Sequence, residues 1–237
     1  MLAQRWNQDG KVIVHSATTD EPISFIGEMA GICYGADTTN QERNYRRGLD
    51  CIESNHGRTL EFPKIYLVLS HHSAKVFREW YTHIIDTTRL QASTRYIEYG
   101  DFNYITPPTI QANEEAKKIY DDTINTIKGA IKKLEDMGIP KEDSSNLLPL
   151  CYESKVVCVI GLRELIAMSR VRMCQRAYWE YRELFNEIIG ALRFYSDEWN
   201  YLITKLKIFH PKCEEFGYCD EKFSCGRKPK KGVIDDV

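Results

Sequence analysis

The amino-acid sequence predicts an α+β fold in which a small, mostly antiparallel sheet is covered by long helices. Short apolar segments alternate along the chain with longer segments in which apolar residues recur every three or four positions. The first pattern is typical of strands and the second of amphipathic helices. We therefore expect a single domain over 1–207 of the 237 residues, followed by a cysteine-rich tail over 208–237.

The first half of the chain contains predicted strands and helices in alternation. They are a strand over 11–15, helices over 21–33 and 39–55, a strand over 64–69 and a helix over 73–85. In the second of these helices Tyr45, Leu49 and Ile52 recur at helical spacing. Phe77 and Trp80 belong to the apolar stripe of the third helix, which we expect to face the core.

The second half is predicted to be mainly helical. Its elements are an extended segment over 97–108, a helix over 114–137, a strand over 147–160 and helices over 162–174 and 177–206. Pro107 and Pro108 end the extended segment, and Gly138 is well placed to end the long helix. The last helix carries Tyr181 and Leu184 on one side, as a buried face requires.

Charge and hydropathy exclude several classes of partner. The chain has 32 basic and 34 acidic residues and a formal charge of −2, so its overall field does not attract nucleic acid or an anionic membrane. The longest apolar run, 156–162, is far too short to span a bilayer, and the N-terminus has no apolar core of signal-peptide length. We expect a cytoplasmic protein that binds neither nucleic acid nor a membrane.

A cluster of hydroxyl groups and a guanidinium follows the helix predicted over 73–85. Ser93, Thr94 and Arg95 can bind a planar anion such as a phosphate, because arginine presents a fork of donors and hydroxyls adapt around it. The alternative is structural: Ser93 and Thr94 form a turn, and Arg95 pairs with an acid such as Glu98. The residues alone leave both interpretations open.

Five segments together resemble one enzyme family. They are NHGRTLEF (55–62), FREWYTH (77–83), QASTRY (91–96), LLPL (147–150) and GLRELIAMSRVRMCQRAYWEYRE (161–183). With these segments, in this order, the chain resembles the flavin-dependent thymidylate synthases over about 21–189. The resemblance implies the thymidylate synthase-complementing fold.

The resemblance also implies an activity. Members of that family transfer a one-carbon unit from methylenetetrahydrofolate to deoxyuridylate (dUMP), with FAD as the hydride donor and NADPH as its reductant, and so contribute to dTMP biosynthesis. They work as homotetramers whose FAD and nucleotide pockets lie between subunits. They do not rely on a cysteine nucleophile, and no cysteine of this chain has a recognisable catalytic setting.

The resemblance assigns substrate-binding residues to two segments. It implies that the nucleotide is bound by Gln91, Ser93, Thr94, Arg95 and Arg172. Arg172 matches the arginine that contacts the uracil ring, where a guanidinium stabilises developing negative charge, so it is also the predicted catalytic residue. From the sequence alone, Arg172 is equally an arginine that neutralises the carbonyls at a helix end.

Four further residues match positions near the flavin: His56, Glu61, His83 and Arg163. Arg163 and Arg172 are nine residues apart on one predicted helix, which puts them on opposite faces. We therefore expect them to reach one ligand site only across a subunit boundary. His83 has a structural alternative as well, because a single histidine beside an apolar stripe often belongs to the core.

The chain departs from the family pattern at several of these positions. The family's arginine-histidine-arginine motif is Thr82–His83–Ile84 here, the following loop is one residue longer, and Gly161 and Ala167 replace two asparagines. Arg58 and Arg89 are candidate replacements for the missing cofactor-binding charge. Two alternatives therefore remain: a related flavoenzyme that modifies another pyrimidine nucleotide, for example by hydroxymethylation, and a noncatalytic nucleotide-binding homologue.

The tail contains a possible structural zinc site. His210, Cys213, Cys219 and Cys225 follow one another at spacings of three, six and six residues, and three thiolates with an imidazole suit tetrahedral zinc. The spacing is not that of a standard zinc knuckle, so free thiols are the alternative.

Overall fold

The computed structural model describes residues 11–83 and 85–232. The expectations for 1–10, for Ile84 of the Thr82–His83–Ile84 segment and for 233–237 lie outside the described residues.

A four-stranded sheet organises the described residues. The strands are β1 (Val12–Val14), β2 (Lys64–Ser73), β3 (Thr87–Gln91) and β4 (Glu153–Gly161), in the order β1-β2-β4-β3. The Gly161 amide donates to the Asp86 carbonyl at 3.1 Å and the Ala92 amide to the Lys155 carbonyl at 2.8 Å. These two pairs run in opposite directions along the chain, so β3 and β4 are antiparallel.

Ten α-helices surround the strands in the described sequence. They are α1 (Pro22–Cys33), α2 (Gln41–Glu53), α3 (Ala74–Trp80), α4 (Pro108–Gln111), α5 (Glu114–Asp136), α6 (Lys141–Ser144), α7 (Leu162–Arg172), α8 (Trp179–Arg193), α9 (Asp197–Thr204) and α10 (Lys212–Phe216). The predicted α+β class, with a small antiparallel sheet and long helices, is confirmed.

The described residues fall into two compact units. The first unit contains those of 11–68, 83–89 and 158–232, and the second unit contains Leu69–Thr82 and Leu90–Val157. Strands β2, β3 and β4 have residues in both units. The predicted division into 1–207 and 208–237 stays a prediction.

In the first unit α1 and α2 cross at very short distance. A Cβ atom added to Gly27 would lie 1.8 Å from the Asn44 carbonyl oxygen, and one added to Gly48 would lie 1.9 Å from the Ile23 carbonyl oxygen. Helices α7, α8 and α9 complete this core with fully buried side chains, among them Leu165, Met168, Leu184, Phe185, Leu192 and Trp199. The short 3-10 helix Thr59–Glu61, which follows α2, contacts α7.

In the second unit α5 covers a separate apolar cluster. Its buried residues are Ala74, Tyr99, Phe102, Ile124, Ile131 and Tyr152. Asn113 caps the start of the helix, since its side chain accepts from the Ala116 amide, and Gly138 follows the end of the helix with φ +83°. No helix of the described residues is both long and apolar enough to cross a membrane.

Several predicted elements differ from the observed ones, among them the strand predicted over 147–160, which begins only at Glu153. The helix predicted over 177–206 is interrupted, because the Ser196 hydroxyl accepts from the Trp199 amide at 3.3 Å and caps a new helix, α9. The helix predicted over 73–85 ends at Trp80, and strand β3 follows it without having been predicted. The segment 97–108 consists largely of turns, with one isolated bridge between Tyr104 and Tyr152.

Candidate active site

The first unit contains a cavity of about 800 Å³. Its lining residues are Arg58, Glu61, Phe62, Lys64, Ile85, Asp86, Arg163, Glu164 and Ala167. This volume lies within the usual range of ligand and cofactor sites. Three of the predicted cofactor-binding residues, Arg58, Glu61 and Arg163, line this one space.

Two segments that are far apart in the sequence bring these three residues together. Arg58 and Glu61 lie at the short 3-10 helix Thr59–Glu61, which follows α2. Arg163 lies in the first turn of α7, where its guanidinium donates a hydrogen bond to the Glu61 carboxylate. A Cβ atom at Gly57 would lie 3.5 Å from that guanidinium, so the loop runs close over it.

A second ion pair crosses the cavity wall. The Lys64 ammonium, at the start of β2, donates to Asp86 Oδ1 at 2.5 Å. Asp86 lies immediately before β3, and it has a left-handed backbone with φ 49°. Two cations of the cavity wall, Lys64 and Arg163, are therefore each close to a carboxylate.

His83 connects the cavity wall to Arg172. Arg172 Nε donates to His83 Nε2 at 3.1 Å, and His83 Nδ1 lies 3.5 Å from Glu164 Oε1. Because Nε2 accepts, the imidazole proton belongs on Nδ1, which faces the Glu164 carboxylate. The Arg172 guanidinium also lies 4.5 Å from the centre of the Tyr181 ring, a cation–π distance.

The surroundings keep this histidine neutral. Burial, followed by the positive charges of Arg172 and Arg89, lowers the pKa of His83 from 6.5 to about 4. Burial, followed by the negative charge of Asp86, raises the pKa of Glu164. At neutral pH the imidazole is therefore an acceptor for Arg172 rather than a second cation beside it.

Arg163 and Arg172 lie in different surroundings, as the helical spacing predicts. Arg163 lines the cavity, whereas the contacts of Arg172 are with His83 and Tyr181. Each of His83 and Arg172 has defined partners inside the first unit. Their ligand-binding roles stay predictions.

The other two predicted cofactor-binding residues of this unit, Arg89 and His56, make other contacts. The Arg89 guanidinium donates to the His83 carbonyl and, at 3.2 Å, to the Thr87 hydroxyl, so it closes the turn before β3. His56 is exposed, and its carbonyl accepts from the Thr59 amide at 3.0 Å. Neither side chain lines the cavity.

The predicted phosphate-binding residues belong to the second unit. Arg95 Nε donates to Glu142 Oε2 at 2.8 Å, its amide donates to the Ser93 hydroxyl at 3.2 Å, and its side chain is 63% exposed. Arg95 therefore pairs with an acid, as its structural alternative expects, but the acid is Glu142, whereas Glu98 pairs with Lys141 at 2.9 Å. Gln91 Nε2 donates to the Ser154 hydroxyl at 3.1 Å, and Thr94 is half-buried in the same loop.

The tail does not assemble the expected zinc ligands. Cys174, Cys213, Cys219 and Cys225 line a cavity of about 170 Å³, whereas His210 lines a different one. Over the part of the chain that the structure describes, no group of three or more histidine, cysteine or acidic side chains is positioned to hold a metal ion. Burial raises the pKa of the Cys213 thiol, which favours the free-thiol alternative.

Sequence reasoning missed Lys64, Asp86 and Glu164 as residues of the candidate site. Glu164 directly follows Arg163, and Asp86 is part of the lengthened loop, so both were adjacent to residues already selected. Lys64 gives no comparable signal, because it opens an otherwise apolar strand.

Comparisons with known proteins point to one family. A family model described as thymidylate synthase complementing protein matches residues 12–193. The chain is 26% identical to a flavin-dependent thymidylate synthase of Nitratidesulfovibrio vulgaris over 90% of this chain and 93% of that protein. It is 28% identical to the enzyme of the same description from Geobacter sulfurreducens, over 74% of this chain and 79% of that protein. The corresponding enzyme of Pyrococcus abyssi is 32% identical over 56% of this chain and 55% of its own length.

Proposed function

Because the chain belongs to the thymidylate synthase complementing protein family, we propose that it is a flavin-dependent thymidylate synthase. The proposed reaction transfers a one-carbon unit from methylenetetrahydrofolate to dUMP and yields dTMP, with NADPH as the final reductant. The proposed enzyme is a homotetramer with its active sites between subunits. The relatives named above are described as flavin-dependent thymidylate synthases, which supports the proposal.

The cavity of the first unit is the observation that carries this proposal. Its volume of about 800 Å³ accommodates a flavin ring system, and Phe62 and Ile85 provide apolar walls for a planar heterocycle. Arg58 and Arg163 provide guanidinium donors of the kind that bind a diphosphate. The donor set of the cavity therefore fits FAD, which supplies a hydride when bound.

Arg172 has the electrostatic role in the proposed reaction. Its guanidinium stabilises negative charge that develops on a pyrimidine carbonyl oxygen. The neutral His83 imidazole accepts from Nε of Arg172, so the histidine orients the guanidinium without adding a second positive charge beside it. Tyr181 supports the face of the guanidinium at 4.5 Å, so the charge is held in one orientation before the substrate arrives.

The loop of the second unit has the nucleotide-binding role. Ser93, Thr94 and Arg95 bind the phosphate, and Gln91 orients the loop through Ser154. The Arg95–Glu142 ion pair does not prevent this, because exposed ion pairs contribute about 0 to 1 kcal/mol and a phosphate displaces them readily.

The first test of the proposed function is flavin binding followed by turnover. We expect the purified protein with added FAD to show a bound-flavin absorption spectrum, and NADPH oxidation to depend on dUMP. Arg163→Ala should weaken FAD binding by about 10-fold or more through loss of a charged contact. Arg46→Ala is the matched control, because Arg46 is exposed, pairs with Glu42 and lies outside the cavity. A protein that does not bind FAD contradicts the proposal.

Product analysis separates the proposed enzyme from its alternatives. Ala167 lines the cavity where the family pattern has an asparagine, which favours an altered ligand environment. A methylated product identified by mass spectrometry supports thymidylate synthesis, whereas a hydroxymethylated product supports the related flavoenzyme. Nucleotide binding without NADPH oxidation supports the noncatalytic homologue.

A further inference from the structure

Asp86 and Gly161 are in close contact beside the cavity. The Gly161 amide donates to the Asp86 carbonyl at 3.1 Å, and the Asp86 side chain folds back over the glycine. A Cβ atom at position 161 would lie 1.6 Å from Asp86 Oδ2 and 2.7 Å from its Cγ. Any side chain at position 161 therefore excludes the observed position of the carboxylate.

The backbone supports the same conclusion. Gly161 has φ −74° and ψ 150°, a conformation that alanine adopts without strain, so glycine is not required there for its own backbone. Asp86, in contrast, has φ 49°, the left-handed region that costs most residues about 1 kcal/mol or more. Gly161 therefore serves as the space that the Asp86 carboxylate occupies.

The carboxylate forms a donor–acceptor pair that faces the cavity. Lys64 Nζ donates to Asp86 Oδ1 at 2.5 Å, and both side chains line the cavity. The Lys64 ammonium retains further N–H donors, and the Asp86 carboxylate has further acceptor positions. The two side chains are about one-third exposed, at 36% and 31%, so a ligand in the cavity can reach both.

A donor beside an acceptor is complementary to an imide edge, in which a ring N–H lies next to a carbonyl oxygen. We propose that Lys64 and Asp86 together recognise the imide edge of a planar heterocycle, with Asp86 accepting from the ring N–H and Lys64 donating to the adjacent carbonyl, and that Gly161 provides the space for the carboxylate. The inference rests on the proposed function, whose ligands supply two such edges, the pyrimidine ring of the flavin and the uracil of dUMP.

Ligands methylated on the imide nitrogen test this assignment. Titrations of the full chain use FAD, dUMP and the N3-methyl analogue of each. We expect methylation to weaken binding of one of these two ligands by about 10- to 100-fold, the usual effect of losing a hydrogen bond to a charged group. The ligand that shows the loss is the one whose edge meets Lys64 and Asp86.

Variants show whether Asp86 and Gly161 act as one unit. Asp86→Ala should weaken binding of the unmethylated ligand by about 10- to 100-fold and remove the effect of methylation. Gly161→Ala should do the same, and the double variant should be no weaker than Asp86→Ala alone. Gly190→Ala is the matched control and should behave as wild type, because a Cβ atom at Gly190 would meet no described atom within 4 Å.

Asp86→Asn guards against a folding defect, since asparagine tolerates the left-handed backbone and preserves the shape of the side chain. We expect an intermediate loss of affinity and an unchanged melting temperature. If wild type binds FAD or dUMP but Asp86→Ala and Gly161→Ala bind as tightly as wild type, this inference alone is overturned. If wild type binds neither ligand, the proposed function fails as well.

Discussion

At the scale of single residues, the surroundings of His83 determine its pKa. The groups that face it are Glu164 and Arg172 from α7, Tyr181 from α8 and Arg89 from β3. Two of these are permanent cations, and the imidazole is largely removed from water, with its side chain 17% exposed. Both effects disfavour the imidazolium, so the folded protein takes up a proton at His83 only near pH 4.

This lowered pKa predicts loss of stability in mild acid. The unfolded chain protonates His83 near pH 6.5, whereas the folded chain does so near pH 4, so the unfolded state binds more protons between these values. The free energy of unfolding should therefore fall by about 3 kcal/mol more in wild type than in His83→Gln as the pH drops through this window. Urea unfolding at several pH values measures the difference.

The control is His56→Gln, the same change at an exposed histidine. It should follow the wild-type curve over the whole pH range. The raised pKa of Glu164 acts in the opposite direction, because it stabilises the folded state as the pH falls. Glu164 is present in wild type and in both variants, so this effect is common to the three curves. Coincident curves for wild type and His83→Gln would disprove the assignment of a neutral, buried imidazole.

At the scale of elements, the crossing of α1 and α2 determines where the cavity-forming loop begins. Asn40 caps α2 by accepting from the Arg43 amide at 3.0 Å, and the helix then passes Gly27 with its own Gly48 facing α1. Arg58 and Glu61 follow directly after α2. The backbone approach at the two glycines is therefore part of what holds the cavity wall in place.

We expect Gly27→Ala to destabilise the protein by about 1 to 3 kcal/mol, because the added methyl group overlaps the Asn44 carbonyl. Gly129→Ala in α5 is the control, since its Cβ atom would meet no described atom within 4 Å. That variant should be more stable by about 0.5 to 1 kcal/mol through helix propensity. Equal free energies of unfolding for the two variants would show that α1 and α2 do not pack this closely.

At the scale of the whole molecule, the proposed nucleotide-binding loop, Gln91–Arg95, is flanked by exposed apolar side chains. Leu90 is 74% exposed, Tyr96 is 75% exposed and Ile97 is 44% exposed, and all three lie beside Ser93 and Arg95. With a formal charge of only −2, repulsion between copies of the chain is weak. These features support the proposed assembly of active sites between subunits.

Light scattering on the purified protein tests this assembly. We expect a mass of four times the 27.6 kDa chain, and Leu90→Asp should reduce it because the substitution places a charge in the proposed contact. Met137→Asp, a change at a side chain that is 77% exposed at the end of α5, should leave the mass unchanged. A wild-type mass of 27.6 kDa would exclude the proposed tetramer.

The sequence by itself was sufficient for the family, the fold class and most helices. Helix α2 and helix α5 are each specified by apolar periodicity and an asparagine cap within a few residues, and such local signals survive in the linear chain. The sequence also predicted that Arg163 and Arg172 have different surroundings, because helical spacing alone puts them on different faces of α7.

Only the tertiary structure decided the wall of the candidate site. Lys64, Asp86 and Gly161 come from three strands or their ends, and sheet register rather than local pattern brings them together. The same is true of His83, which meets residues of α7 more than eighty positions away. Such contacts depend on which chain segments become neighbours in space, and no residue signals this within its own surrounding sequence.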